Sequence, residues 1–281
     1  MTNKKTAFTL SAAALLLLII YIILLFASIA AAGKQSAGIW QITVSEIDAI
    51  IMNNKGERFR FDNLRQEQIW VLTSPDDIKY DQSIAQALPL VLVNLSAQSE
   101  IKTDDNLLLG YGLDDPIEIQ LLMRGGSVNN LIVGDISASG ELRYIWLNNE
   151  SIYAVDAVKS SLLTLDYLSI RDRNVLGFNK TMRPGDIAAG ITDIKVNNEN
   201  KPELAYALAC LTAESFEGID QYDAYGLDAP RFTIQFQYKG EKKEFYIGDT
   251  LNDGELCYAR TSDDSIVFTI STRGLEFIIH A

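Results

Sequence analysis

The chain has 281 residues, 24 Lys and Arg against 37 Asp and Glu, a formal net charge of −13, one histidine and two cysteines. A chain this acidic repels the phosphate backbone, so no nucleic-acid partner is expected. One histidine and two cysteines are too few for a zinc cluster or a disulfide scaffold, so no metal site is expected.

Residues 1–6 read as a short cytoplasmic tail. Ala7–Ala32 follows without a charged residue and is dense in Leu, Ile and Ala. At 1.5 Å per residue its 26 residues reach about 39 Å, more than the roughly 30 Å of a hydrocarbon core. We expect an uncleaved transmembrane helix, since a signal-peptide core would be shorter. Lys4 and Lys5 before it, with only Lys34 just after, place the N-terminus inside and the C-terminal body outside the cytoplasmic membrane. That body carries a net charge of −16 once these three lysines are set aside.

Residues 33–39 read as a tether and 40–170 as a first α+β lobe. It opens with a strand pattern over Ile42–Met52 and a turn at Asn53–Gly56. Phe59 and Phe61 alternate with arginines in a second strand, and Ile69–Leu72 reads as a third. A helix follows with Asp81 or Ser83 as N-cap and Ile84, Leu88, Leu92 and Leu95 on one face, and Pro89 should kink it. Strands come next at Ile117–Met123, Asn130–Val133, Tyr144–Leu147 and Ser151–Val155. A helix after Asp156 should face Val158, Leu162 and Leu165 inward. Residues 171–190 look like a connector and 191–281 like a second, shortened lobe. Its helix accepts Pro202 in the first turn and shows a Leu204, Leu208, Leu211 stripe. Strands follow at Phe232–Tyr238, Glu244–Ile247, Cys257–Arg260 and Ser265–Ile270, and Ser271 or Thr272 caps a last short helix.

The two lobes are copies. Tyr111-Gly112-Leu113-Asp114-Asp115-Pro116 returns 114 positions later as Tyr225-Gly226-Leu227-Asp228-Ala229-Pro230. The same offset matches Gly134-Asp135 to Gly248-Asp249, Tyr144 to Tyr258 and Ser151-Ile152 to Ser265-Ile266, which marks a tandem duplication. The phrase itself reads as a turn into a strand, with Gly able to take positive φ and Leu packing inward. Its other reading is a ligand contact through Tyr111, Tyr225, Asp114 and Asp228. Gly134-Asp135 and Gly248-Asp249 read as turns at strand ends. Phe232, Ile234, Phe236 and Tyr238 fall out of step with the first copy at this offset, so a bulge or one-residue gap is expected near Gly125-Gly126. The fold class is therefore α+β: a transmembrane helix followed by two repeated lobes, each a mainly antiparallel sheet with packed helices.

No catalytic set is legible. A triad or Cys–His pair would have to use His280, the penultimate residue, and no phosphate loop or dinucleotide fingerprint is present, so no cofactor is expected. Asp249-x-x-x-Asp253-Gly254 departs from a calcium loop at Leu251 and Arg260. Cys210 and Cys257 read as small buried apolar residues, and an exported location would permit a bridge between them. The span, Trp70-Val71-Leu72 with its helix, Tyr111–Pro116, Gly134-Asp135, Tyr144 and Leu168-Ser169-Ile170-Arg171-Asp172-Arg173 together resemble the domain of unknown function 4340 family. That resemblance implies bacterial envelope proteins, some encoded beside ABC-transporter components. The partners it implies are a permease or auxiliary protein, and it supplies no catalytic residues. The reading is a noncatalytic, membrane-anchored binding or scaffold module. The alternatives are a carboxylate-only hydrolase of an envelope glycan and a solute-binding protein with a pocket between lobes lined by Tyr111 or Tyr225.

Overall fold

The computed structural model describes residues 38–102, 110–218, 222–251, 254–273 and 275. The expected span Ala7–Ala32, Asp253, His280 and most of the expected last helix lie outside them. No described helix is long and apolar enough to cross a membrane.

The first sheet is built from tight hairpins. β1 (Ile47–Asn54) and β2 (Glu57–Leu64) are joined by Lys55-Gly56, both at positive φ (50° and 90°), as a two-residue hairpin turn requires. Period-two alternation sends Ile50, Met52, Phe59 and Phe61 into the core. β3 (Ile69–Ser74) completes that edge. α1 (Gln82–Val93) then leads to β4 (Ala97–Lys102), β5 (Ile117–Met123), β6 (Val128–Ile136), β7 (Leu142–Leu147) and β8 (Ser151–Asp156). The strand order is β3-β2-β1-β5-β6-β7-β8-β4, antiparallel throughout. Because β3 and β4 are opposite edges, α1 must carry the chain across the sheet face. It buries Leu88 and Leu92 there, and Leu95 just beyond its end, while Ile84 packs partly buried. Asp81 caps it by accepting from the Ser83 amide at 2.9 Å. Pro89 does not break the helix; it lies on the buried side of one continuous element.

The second sheet repeats this plan. After α2 (Pro184–Ala189) come β9 (Ile191–Val196), β10 (Glu199–Asn200), α3 (Ala205–Ala209), β11 (Ser215–Gly218), β12 (Phe232–Tyr238), β13 (Glu241–Leu251), β14 (Leu256–Thr261) and β15 (Val267–Ser271). Their order, β10-β9-β12-β13-β14-β15-β11, is that of the first sheet with β3 gone and β2 reduced to two residues. Leu204, Leu208 and Leu211 cover this sheet as Leu88, Leu92 and Leu95 cover the other. The stretch between lobes adds Leu176, Phe178 and Ile187 to the second core.

The expected slip is present. Tyr238 pairs with Glu241 across a two-residue turn, whereas Leu122 pairs with Val128 and Met123 bonds Ser127 across the three residues Arg124–Gly126. Arg231 is the compensating extra residue in the second copy. Ile119 and Leu121 therefore correspond to Ile234 and Phe236, one position beyond the sequence offset, and Val133 again matches Ile247.

Several expectations fail for local reasons. Residues 44–46 form a 3-10 turn ahead of β1, because Thr43 and Glu46 bond each other reciprocally. Only a 3-10 turn, Ser161–Thr164, follows Asp156, and Val158 points outward at 81% exposure. The Ser160 hydroxyl bonds back to the Asp156 and Ala157 carbonyls there, which competes with a regular helix. The Thr272 hydroxyl donates to the Gly254 and Glu255 carbonyls, and the helix expected after it lies outside the described residues. The match of Ser151-Ile152 to Ser265-Ile266 is not a structural equivalence. Tyr144 pairs with Ala154 but Tyr258 pairs with Thr269, so the β14–β15 hairpin is one residue longer.

That longer hairpin reaches the first lobe. Asp264 binds Arg171 at 3.0 Å and Asp263 binds Lys79 at 2.7 Å. Tyr80 and Arg171 form a β-bridge in which the Asp81 amide bonds the Ile170 carbonyl and the Asp172 amide bonds the Lys79 carbonyl. Arg171 is buried, so its charge is held by Asp264 alone among the described ion pairs. Burial opposes ionisation of Asp263, but the hydrogen bond and charge of Lys79, together with further hydrogen bonds to the carboxylate, outweigh it and hold the carboxyl below its usual range. Its contribution is therefore present above about pH 4 and lost as pH falls through the lowered value. We expect Asp264→Asn to cost about 3 kcal/mol in chemical denaturation by stranding the Arg171 charge. Arg171→Met with Asp264→Leu should recover most of that loss, and an unchanged single variant would show the pair is not a seam.

Candidate functional site

Gly134-Asp135 and Gly248-Asp249 are not turns but β-bulges within strands. Val133 pairs with Ile145 and Ile136 with Arg143, and Ile247 pairs with Ala259 and Thr250 with Cys257, so each long strand holds one extra residue. The bulge lets the strand backbone meet the repeated phrase. A β-carbon on Gly134 would lie 2.2 Å from the Tyr111 carbonyl oxygen, and one on Gly248 would lie 2.1 Å from that of Tyr225. In return, a β-carbon on Gly112 would lie 2.2 Å from the Asp135 carboxyl carbon, and one on Gly226 would lie 2.7 Å from that of Asp249. Gly112 and Gly226 also stand at φ 66° and 68°, where other residues are strained.

The rest of the phrase fixes this clasp. Leu113 and Leu227 are buried beneath it. Tyr111 packs on Tyr144 with centroids 4.5 Å apart, and Tyr225 on Tyr258 at 4.4 Å. Arg143 is buried behind the first bulge and donates to the Gly134 carbonyl at 3.2 Å; Cys257 holds the corresponding place in the second. Pro116 and Pro230 lead half-buried into β5 and β12, and Asp114 and Asp228 are exposed. The tyrosines named for an inter-lobe pocket thus pack within their own lobes.

The surface feature that repeats is elsewhere. In each lobe a groove runs between the outer side of the covering helix and the strand at its flank. The first, about 410 Å³, has walls from Ala87, Leu90, Val91 and Leu95 on the α1 side and Val155 and Asp156 on β8. The second, about 610 Å³, has walls from Glu203, Tyr206, Ala207 and Leu211 on the α3 side and Ile270 and Ser271 on β15. The helix leucines set the equivalence: Leu88, Leu92 and Leu95 overlie Leu204, Leu208 and Leu211 at constant spacing. At that spacing Leu90 becomes Tyr206, Asn94 becomes Cys210 and Ser96 becomes Thr212, and every one of these lines its groove. Leu90 and Tyr206 are 54% and 61% exposed, unusual for large side chains at equivalent places in two lobes. Sequence reading passed over this pair because the repeat is visible only in the strands; the helices share just their leucine spacing.

The cysteines are both free, and Cys210 is exposed in the second groove, contrary to the buried position expected for it. It falls at the C-cap of a five-residue helix, on the side away from Leu208 and Leu211, which face the core. Cys257 is buried, and that burial pushes its thiol up to about 12. Among the described residues no cluster of His, Cys, Asp and Glu could hold a metal ion.

Two outcomes are expected. Gly112→Ala and Gly226→Ala should each lower the unfolding free energy by more than about 1 kcal/mol in urea. Adding Asp135→Ala to Gly112→Ala should recover part of the loss, because it removes the atoms the new methyl meets. A maleimide should modify Cys210 alone in the native chain and both cysteines after denaturation, read by intact mass. Equal labelling of Cys257 in the native chain would contradict its burial.

A model of the domain of unknown function DUF4340 matches residues 70–202 and again 188–277, which together take in most of both lobes. No curated protein matches the chain. No solved structure matches it.

Proposed function

This chain belongs to the DUF4340 family, and we propose that it is a noncatalytic binding or scaffold module tethered to the cytoplasmic membrane. Ala7–Ala32 is the anchor in this reading, with the N-terminus inside and the body extracytoplasmic. The uncharged run and the Lys4/Lys5 bias support that orientation.

The observation that carries the binding role is the repeated helix–strand groove. Duplication has kept its place in both lobes while its lining has changed from Leu90 and Asn94 to Tyr206 and Cys210. A surface retained for packing alone would keep its apolar core and let outer positions drift to charge. Tyr206 instead offers a large contact area at low entropic cost, and Glu203, Glu214 and Arg273 give the second groove a polar rim. Its volume suits a few side chains of a polypeptide segment. The partner we propose is a permease or auxiliary protein of an ABC-transporter assembly, reached at high effective concentration because both are held in one membrane.

In cells, protease added to spheroplasts should remove the body and leave a small anchored fragment. A photo-crosslinker at position 203, on the same groove wall, should join the chain to a transporter component, and Tyr206→Glu should abolish both the cross-link and complementation of a deletion strain. Tyr206→Glu that folds, complements fully and leaves the cross-linking pattern unchanged defeats the scaffold reading of this groove. Full protection of the body in spheroplasts reverses its orientation.

A further inference from the structure

We propose that the first-lobe groove is the face on which the body rests against the bilayer, with Leu90 and Val158 entering the headgroup region. This rests on the anchored reading above and adds a second, weaker membrane contact to it.

Gly38 forms a β-bridge with Ser96, the Ile39 amide donates to the Leu95 carbonyl at 3.1 Å, and Trp40 Nε1 donates to the Leu92 carbonyl at 2.8 Å. Three successive residues thus staple the chain to the C-terminal end of α1, and Leu95 and Ser96 are themselves walls of the first groove. Only residues 33–37 separate Gly38 from the end of the uncharged run. Even fully extended, that tether reaches about 20 Å. The α1 end of the first lobe is therefore the part of the body nearest the membrane.

What lies at that end suits the boundary between water and lipid. Leu90 is 54% exposed over an apolar floor of Val91, Leu95 and Val155. Val158, 81% exposed, sits in the turn that supplies Asp156 and Lys159 to the groove rim. Those two rim charges have opposite sign, so the patch does not present to headgroups the strong negative charge of the body as a whole. Half-buried Trp40 beside it is a side chain favoured at membrane interfaces. The equivalent second groove has Glu203 and Tyr206 where the first has Ala87 and Leu90, and the first described residues, 38–40, bond beside the first groove. Exposed leucines and valines are ordinary when scattered; here two of them flank one groove at the point of attachment.

The test uses the full chain in phosphatidylcholine vesicles, on a Cys210→Ser background in which Cys257 is unreactive. An environment-sensitive fluorophore is placed in turn at Leu90→Cys, Val158→Cys and, as a distant control, Val128→Cys on the β5–β6 hairpin. Flotation of the vesicles is scored first. We expect the chain to float, the labels at 90 and 158 to shift to shorter wavelength and lose intensity with nitroxide-bearing lipid, and the label at 128 to do neither. A Leu90→Glu substitution should cancel the shift of the label at 158. Should the chain float while all three labels stay water-like, the resting face is refuted and the anchor stands. A chain that does not float overturns both readings.

Discussion

Everything in the repeated unit depends on one close approach: a strand backbone laid against the carbonyl of the tyrosine that begins the repeated phrase. Gly134 and Gly248 have no side chain because the Tyr111 and Tyr225 oxygens occupy the space a β-carbon would need. The bulge that makes this possible turns Asp135 and Asp249 toward Gly112 and Gly226, which must also be bare. Four glycines, two aspartates and four tyrosines are thus one interlock written twice. It fixes the approach of the chain to β5 and β12, and with it the register of the four strands that follow in each lobe.

The strands were legible because burial alternates along them. Phe59 and Phe61, Ile234 and Phe236, and the three helix leucines in each lobe read correctly from period alone. Less legible were elements whose neighbours, and not their own side chains, decide their state. β4 and β11 are polar edge strands with a single partner each, so Ser99, Glu100 and Glu217 carry no alternation to detect. Gly134-Asp135 has the composition of a turn, and only the opposing strand shows it to be a bulge. The grooves were invisible for a related reason. Their equivalence rides on the α1 and α3 leucines, whose spacing differs from that of the repeated phrase by two residues, so no single offset brings both into line.

Duplication followed by divergence explains the asymmetry between lobes. The first keeps a complete sheet and receives the chain from its start through Gly38, Ile39 and Trp40. The second has lost the outer hairpin but gained a residue in the β14–β15 turn, which lets Asp263 and Asp264 reach Lys79 and Arg171. One copy's lengthened turn thus adds two ion pairs to the Tyr80–Arg171 bridge and the Lys180–Asp81 pair that also join the lobes.

The truncation of the second sheet also leaves a strand with little beside it. β9 would be an open edge from Ile191 to Asp193, before the Lys201 amide takes the Ile194 carbonyl, a template onto which a foreign strand could pair and propagate. Asp193 stands there at φ 53° and interrupts the extended run, at the point where the β9–β12 register slips. Thr192, Asp193 and Lys195 put polar or charged groups along it. The lobe that gave up its covering hairpin thereby guards against runaway association through an irregular, charged border, and restoring regular geometry at Asp193 would remove that guard.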